Sequence, residues 1–382
     1  MANVLTDLAA DIYVAADKVA RELTGGFSSA TLNANGSERA ALNDPVRSHF
    51  TRAATAGNVS PSMTIPEGTN QTVDNKTLTI TKSRSVQIPW TGEDMKHVRN
   101  GAGFETIYGD QVMQAMRTLA NEVEIDLMTE AYVSASRAIG VSGTTPFGSN
   151  FDEVAQLRQI LVDNGAPVSD RMSSIVMNTL AGTNLRNLAS LQKANESGGA
   201  DLLRQGTLLD LQGLMLKESA GIQTPTAGTG SGYLVNNGAG YAIGDTAIDV
   251  DTGTGTILAG DVITFAGDTN KYVVATALSG GTVTIAAPGL RKAVADNVAI
   301  TVAATATKNV AFHKSALEIA MRPPAVPEGG DAAVDQMIMQ DPYSGMVFEI
   351  RAYKGYRKSM FEVAAAWGVK GWKPEFIALL QG

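Results

Sequence analysis

Thr77-Leu78-Thr79-Ile80-Thr81-Lys82-Ser83-Arg84-Ser85-Val86-Gln87-Ile88-Pro89-Trp90 alternates almost strictly over fourteen positions. Leu78, Ile80, Lys82, Arg84, Val86, Ile88 and Trp90 share one face, and the threonines, serines, Gln87 and Pro89 share the other. A period of two specifies a β-strand, and ordinary strands run only about five or six residues. Two cations in the middle of an apolar face are costly to bury unless partners meet them. A strand that is apolar at its ends and basic between suits an arm that leaves its own domain and lies on a neighbour. The expectation is one long arm strand that serves assembly, with Lys82, Arg84 and Trp90 as contact residues between subunits.

The flanks support an arm. Residues 4–24 carry Leu5, Ile12, Ala16, Val19 and Leu23 at helical spacing, and Gly25-Gly26 stops that helix. From Phe27 to Pro89 no helical period appears, and Pro45, Pro61, Pro66 and the Asp74-Asn75 turn signal interrupt the chain. So long a non-helical stretch is unusual inside a compact domain and suits a β-arm held by other subunits. Residues 106–138 give the strongest helix signal, with Val112, Met116, Leu119, Val123 and Leu127 at steps of three or four. Such a helix is a rod of roughly 50 Å, long enough to act as a spine. Glu122, Asp126 and Glu130 follow one another along a single face of it, as solvated or interface charge. Glu122 and Asp126 are the expected partners of Lys82 and Arg84, on a neighbour's spine.

Further on, the pattern predicts a helix over 151–164, a strand over 174–177 and a helix over 179–195. Residues 222–307 turn rich in Gly, Ala, Thr and Val. Short strands are expected there over 247–250, 262–266, 272–277, 282–286 and 298–303. The turn signals between them fit a small β-barrel inserted into a larger domain. The Gly228-Thr229-Gly230-Ser231-Gly232 run reads as a flexible linker into it. From Lys308 the chain resumes the character of the larger domain, with a short strand ending at Met321. Strands over 346–353 and 359–367 then pair around the basic turn Lys354-Gly355-Tyr356-Arg357-Lys358, and the second of them closes the sheet.

Composition excludes several functions. The 382 residues carry a net charge of −8, so the whole chain is not an electrostatic nucleic-acid binder. With no cysteine there is no disulfide framework, thiolate metal site or cysteine nucleophile, which suits a reducing cytoplasm. No apolar run is long enough to span a membrane, and the first residues do not read as a signal peptide. His49, His97 and His313 lie far apart without ligand spacing. No Walker, dinucleotide or nucleophile-elbow motif is present. Neither a catalytic site nor a cofactor is expected. The Lys354–Lys358 cluster reads as a solvated hairpin turn in preference to a nucleic-acid contact.

Three stretches carry a family resemblance. Arg117-Thr118-Leu119-Ala120-Asn121-Glu122-Val123-Glu124 looks like a spine-helix motif, and Gly260-Asp261-Val262-Ile263-Thr264-Phe265-Ala266-Gly267 like a barrel motif. Lys308-Asn309-Val310-Ala311-Phe312-His313, followed by Pro323 and Pro324, looks like the return strand after an insertion. In order and spacing these resemble the major capsid (coat) proteins of tailed bacteriophages, in particular the podovirus type with an inserted β-barrel. The resemblance implies an α+β fold, the Hong Kong phage capsid fold. Its parts would be an N-terminal helical arm (1–26), an extended loop with the long β-strand (27–100) and a spine helix region (101–148). A central mixed-sheet domain (149–223 and 308–382) and the inserted barrel (224–307) would complete it.

It further implies a non-enzymatic shell protein that self-assembles into hexamers and pentamers of an icosahedral procapsid. A separate scaffolding protein, a portal protein at one vertex and packaged double-stranded DNA, bound without sequence specificity, would be its partners. The expected place is the virion, assembled in the host bacterial cytoplasm, with no membrane. The barrel block, about 85 residues, is smaller than the family's usual insertion. An encapsulin-like compartment and a monomeric surface-binding protein are the alternatives.

Overall fold

A computed structural model describes residues 18, 19, 25–51, 56–65, 73–99, 104–192, 208 and 210–382. The helix expected over residues 4–24 lies outside these, apart from Lys18 and Val19. One helical turn at Gly26–Ser29 leads into β1 (Thr31–Ala34). β2 (Pro45–Thr51) and β3 (Val73–Thr79) pair antiparallel as a separate hairpin. Then come β4 (Lys82–Thr91), α1 (Gly92–Arg99) and the 30-residue spine α2 (Phe104–Val133). β5 (Arg137–Gly140), α3 (Asp152–Asp163), β6 (Ser173–Met177), α4 (Thr179–Asn187) and β7 (Met215–Glu218) follow.

The next six strands are β8 (Leu234–Val235), β9 (Ala247–Asp251), β10 (Val262–Phe265), β11 (Lys271–Ser279), β12 (Thr282–Ile285) and β13 (Ile300–Val302). The chain finishes with β14 (Lys308–His313), β15 (Leu317–Arg322), β16 (Ala333–Gln340), β17 (Val347–Gly355), β18 (Lys358–Gly371) and β19 (Ile377–Gln381). The fold class is α+β. Among the described residues, no helix is long and apolar enough to cross a membrane.

The expected long strand is two strands, which corrects the sequence reading. Its alternation of faces persists throughout: Leu78, Ile80, Ile88 and Trp90 are buried, whereas Thr77, Thr79, Thr81, Ser83, Ser85, Gln87 and Pro89 are exposed. The break falls at Ile80-Thr81 because the backbone changes partner there. Ile80 N donates to Asp44 O at 3.0 Å, whereas Thr81 N donates to Trp367 O at 3.0 Å. Before this point the chain pairs with β2, and after it β4 runs antiparallel to β18 from Lys82↔Trp367 to Thr91↔Lys358. Gly368 lies under the crossing, where a Cβ would collide with Thr79 O.

The spine packs as its stripe predicts. Val112, Met116, Leu119, Val123 and Leu127 are all buried, in one core with Trp367, Val363 and Leu379. The helix stops at Val133, short of residue 138, because Ser136 N donates to Ile377 O and β5 then joins β19 in parallel. Two sheets build the body. One runs β1-β15-β18-β17-β16 with β4 also on β18, and the other runs β7-β6-β14-β19-β5 and continues into β11-β12-β9-β8. β18 is therefore interior and does not close its sheet. Residues 363–368 are buried throughout, so that part shows no alternation.

The barrel has a core of its own, including Val235, Ile248, Ile263, Phe265, Tyr272 and Val283. It closes where Val235 N donates to Val298 O at 3.0 Å and Ile300 N donates to Tyr233 O at 2.9 Å. The β5–β11 pairing (Arg137↔Tyr272, Ala138↔Lys271) makes it continuous with the central sheet. The glycine run before it is pinned: Gly230 N donates to Thr256 O at 2.7 Å and Ser231 N to Thr254 O at 2.9 Å. The helix expected over 179–195 ends at Asn187, where Leu188 turns extended; a second turn, Ala189–Gln192, follows.

Candidate assembly site

Alternation turns Lys82 and Arg84 toward the spine, and the four-residue step of the helix sets Glu122 and Asp126 beneath them. Lys82 Nζ lies 2.8 Å from Asp126 Oδ1, and Arg84 Nε lies 3.1 Å from Glu122 Oε2. The expected partners meet, and they do so within one chain. Glu122, by hydrogen bond and by charge, raises the Arg84 guanidinium above its ordinary value. The other Asp126 oxygen accepts from Trp367 Nε1 at 2.8 Å. One turn on, Glu130 Oε1 accepts from Gly371 N at 2.9 Å. The acidic face of the spine is thus a ladder that binds β4 and β18. At the far end of β4, the buried Trp90 ring donates through Nε1 to Gln111 Oε1 at 3.0 Å.

Glu124, which with Glu122, Asp126 and Glu130 could suggest a carboxylate site in the sequence, instead makes a buried contact of its own. Only 4% exposed, it accepts from Gly26 N and Phe27 N at 2.8 Å each and from Ser219 Oγ at 2.5 Å. It fixes the point where residues 25–27 leave the body, and Gly26 packs so closely that a Cβ would strike Met128. Burial pushes its carboxyl up; the Ser219 hydroxyl, the amides of Phe27 and Gly26 and the Lys217 charge pull the other way. A signal existed: Glu124 stands four residues from the buried Ala120 and from the buried Met128, on the apolar side of the helix. Trp367 and Gln111 were missed because their roles depend on strands distant in sequence, and Glu130, read as solvated or interface charge, instead accepts from the backbone of β18.

Of the three histidines, His313 has a structural place. His313 is buried at the end of β14, with Nε2 2.9 Å from Asp170 Oδ2 and Nδ1 2.8 Å from Ser315 Oγ. Among the described residues no group of three or more metal-ligating side chains converges. Between β2 and β3, Val59, Met63 and Ile65 are 97%, 105% and 89% exposed.

No protein-family profile matches the chain, and no curated protein sequence matches it. Solved structures do. A structure from Mycobacterium phage Che8 is 14% identical, covers 88% of this chain and 84% of its own, and has a TM-score of 0.47. The capsid structure of the cyanophage P-SCSP1u is 12% identical over 92% of this chain and 86% of that one, with a TM-score of 0.48. A virus-like particle from Pyrococcus furiosus is 8% identical over 97% of each chain, with a TM-score of 0.41. From β4 the described chain runs through the spine into the central sheet, out through the barrel strands and back into the central sheet.

Proposed function

We propose that this chain is the major capsid protein of a tailed bacteriophage. It assembles, with a separate scaffolding protein, into the icosahedral shell around double-stranded DNA, as hexamers and pentamers with a portal at one vertex. The observation that carries this reading is the β2–β3 hairpin. Among the described residues it pairs with no other strand, and it holds three almost fully exposed apolar side chains in its connection. Large apolar side chains left this exposed in the connection of a hairpin offer a surface for another molecule to cover. The rest of the chain supports a shell role. A spine clasped to β4 and β18 gives a rigid body, and the hairpin leaves from the point where β3 turns into β4. A closed shell needs this pairing of rigid bodies with reaching arms, because one chain must make several similar contacts.

Electron microscopy of the purified protein, alone and with its scaffolding partner, tests this. Closed shells or capsomer rings are expected. A monomer that persists under both conditions would sink the proposal.

A further inference from the structure

The hairpin between β17 and β18 ends in a two-residue turn, Tyr356-Arg357, closed by the Gly355↔Lys358 pair. Arg357 adopts φ 55°, a left-handed conformation that such turns normally give to Gly or Asn. Tyr356 is 89% exposed, and the Arg357 guanidinium lies 5.5 Å from its ring centroid. Lys354 and Lys358 are exposed on the same tip, with no ion pair among the described residues. The tip is held in place, since Gly92 N donates to Arg357 O at 3.0 Å.

Next to it, where Ala333 faces Tyr353 in the sheet register, the chain is acidic. Asp331 is taken by Arg351 and by the Tyr353 hydroxyl. Glu328 and Asp335 are exposed and likewise form no ion pair among the described residues. One end of the sheet therefore carries a basic, aromatic tip beside an acidic segment, and the two do not neutralise each other within the chain.

We infer that this end of the sheet is a two-fold contact between copies. The Lys354/Arg357/Lys358 tip of one chain meets the Glu328/Asp335 segment of the other. The inference rests on the shell reading above and names the partner at one of its contacts. A surface holding both halves of a complementary pair side by side is satisfied by a second copy turned about a two-fold axis, so that each basic tip meets the other's acidic segment. Charge complementarity sets register and rejects wrong partners, while Tyr and Arg are the side chains that anchor interfaces most often. Nucleic acid fits less well, because the adjacent carboxylates repel a polyanion that approaches the tip.

The test is a charge swap in the full chain, with shell yield read by sedimentation and microscopy and monomer folding by thermal melting. K354E/K358E and E328K/D335K should each lower shell yield by about tenfold or more while leaving the monomer melt unchanged. All four substitutions together should restore shells. Normal shells from either double variant, or no recovery in the quadruple variant, would overturn the inference. So would a tip variant that forms normal shells and loses only packaged DNA, since that would make the tip a nucleic-acid contact. If the unaltered chain forms no shells, the capsid proposal itself fails and this inference falls with it.

Discussion

Glu124 and Asp126 stand two residues apart on the same helix and solve the same problem differently. The Asp126 side chain keeps 22% of its surface exposed and is met by the ammonium of Lys82 and by the Trp367 indole. Glu124 is nearly dry and makes its hydrogen bonds with neutral groups, two backbone amides and a hydroxyl, while the charge of Lys217 acts on it without a direct bond. A half-wet carboxylate can use a flexible cation, because water solvates whatever the pair leaves unpaired. A dry one needs donors fixed in place by the fold, because each missing bond is a full desolvation loss. The two residues also fix different parts: Asp126 holds the arm strand, and Glu124 holds the root of the N-terminal segment.

The comparison breaks most sharply at Glu124. Glu124→Ala orphans three buried donors and should cost about 3–5 kcal/mol in urea unfolding. A loss below about 1 kcal/mol would mean that water replaces the carboxylate and that the pocket is not dry. The pH dependence sharpens the same point. Because burial raises this acid in the folded state, the native protein binds its proton more readily than the unfolded chain does. Its contribution therefore favours folding at acid pH and fades as pH rises above the ordinary 4.5. Glu124→Gln should flatten that part of the stability–pH curve, and an unchanged slope would assign it to another group.

Asp126→Ala should cost less, about 1–3 kcal/mol, since it strands the Trp367 indole N–H and leaves Lys82 exposed to water. Lys82→Met keeps the packing of the stem and removes only the charge. About 0.2–1 kcal/mol should be lost, and the difference from the unaltered chain should shrink at high salt. If Lys82→Met proved as damaging as Glu124→Ala, the contrast between wet and dry carboxylates would collapse.

Legibility followed the range of the interactions. The face assignment of residues 77–90 was legible, because alternation is local and Leu78, Ile80, Ile88 and Trp90 are indeed the buried positions. The break at Ile80-Thr81 was not, since no Gly or Pro marks it and its cause is the competition of Asp44 and Trp367 for neighbouring amides. β1, β2, β5, β7, β8, β16 and β19 also went unread. β19, at Ile377–Gln381, is buried on both faces and so carries no period to distinguish it. Of the assembly candidates, Lys82, Arg84, Glu122 and Asp126 were legible as charges that needed partners. That they pair within one chain required the antiparallel register of β4 on β18, which carries β4 across the spine.

The α+β class came from the family resemblance, whereas local patterns were enough for the spine stripe, the strand character of residues 77–90 and the distinct make-up of residues 222–307. Each follows from a period or a composition confined to neighbouring residues. Only the tertiary structure decided which strand lies beside which, where the arm bends, and that the barrel is continuous with the central sheet. It also decided that a glutamate on the apolar side of the spine binds the amides of Gly26 and Phe27. Those outcomes depend on backbone donors and acceptors far apart in sequence finding one another, and no local pattern encodes that choice.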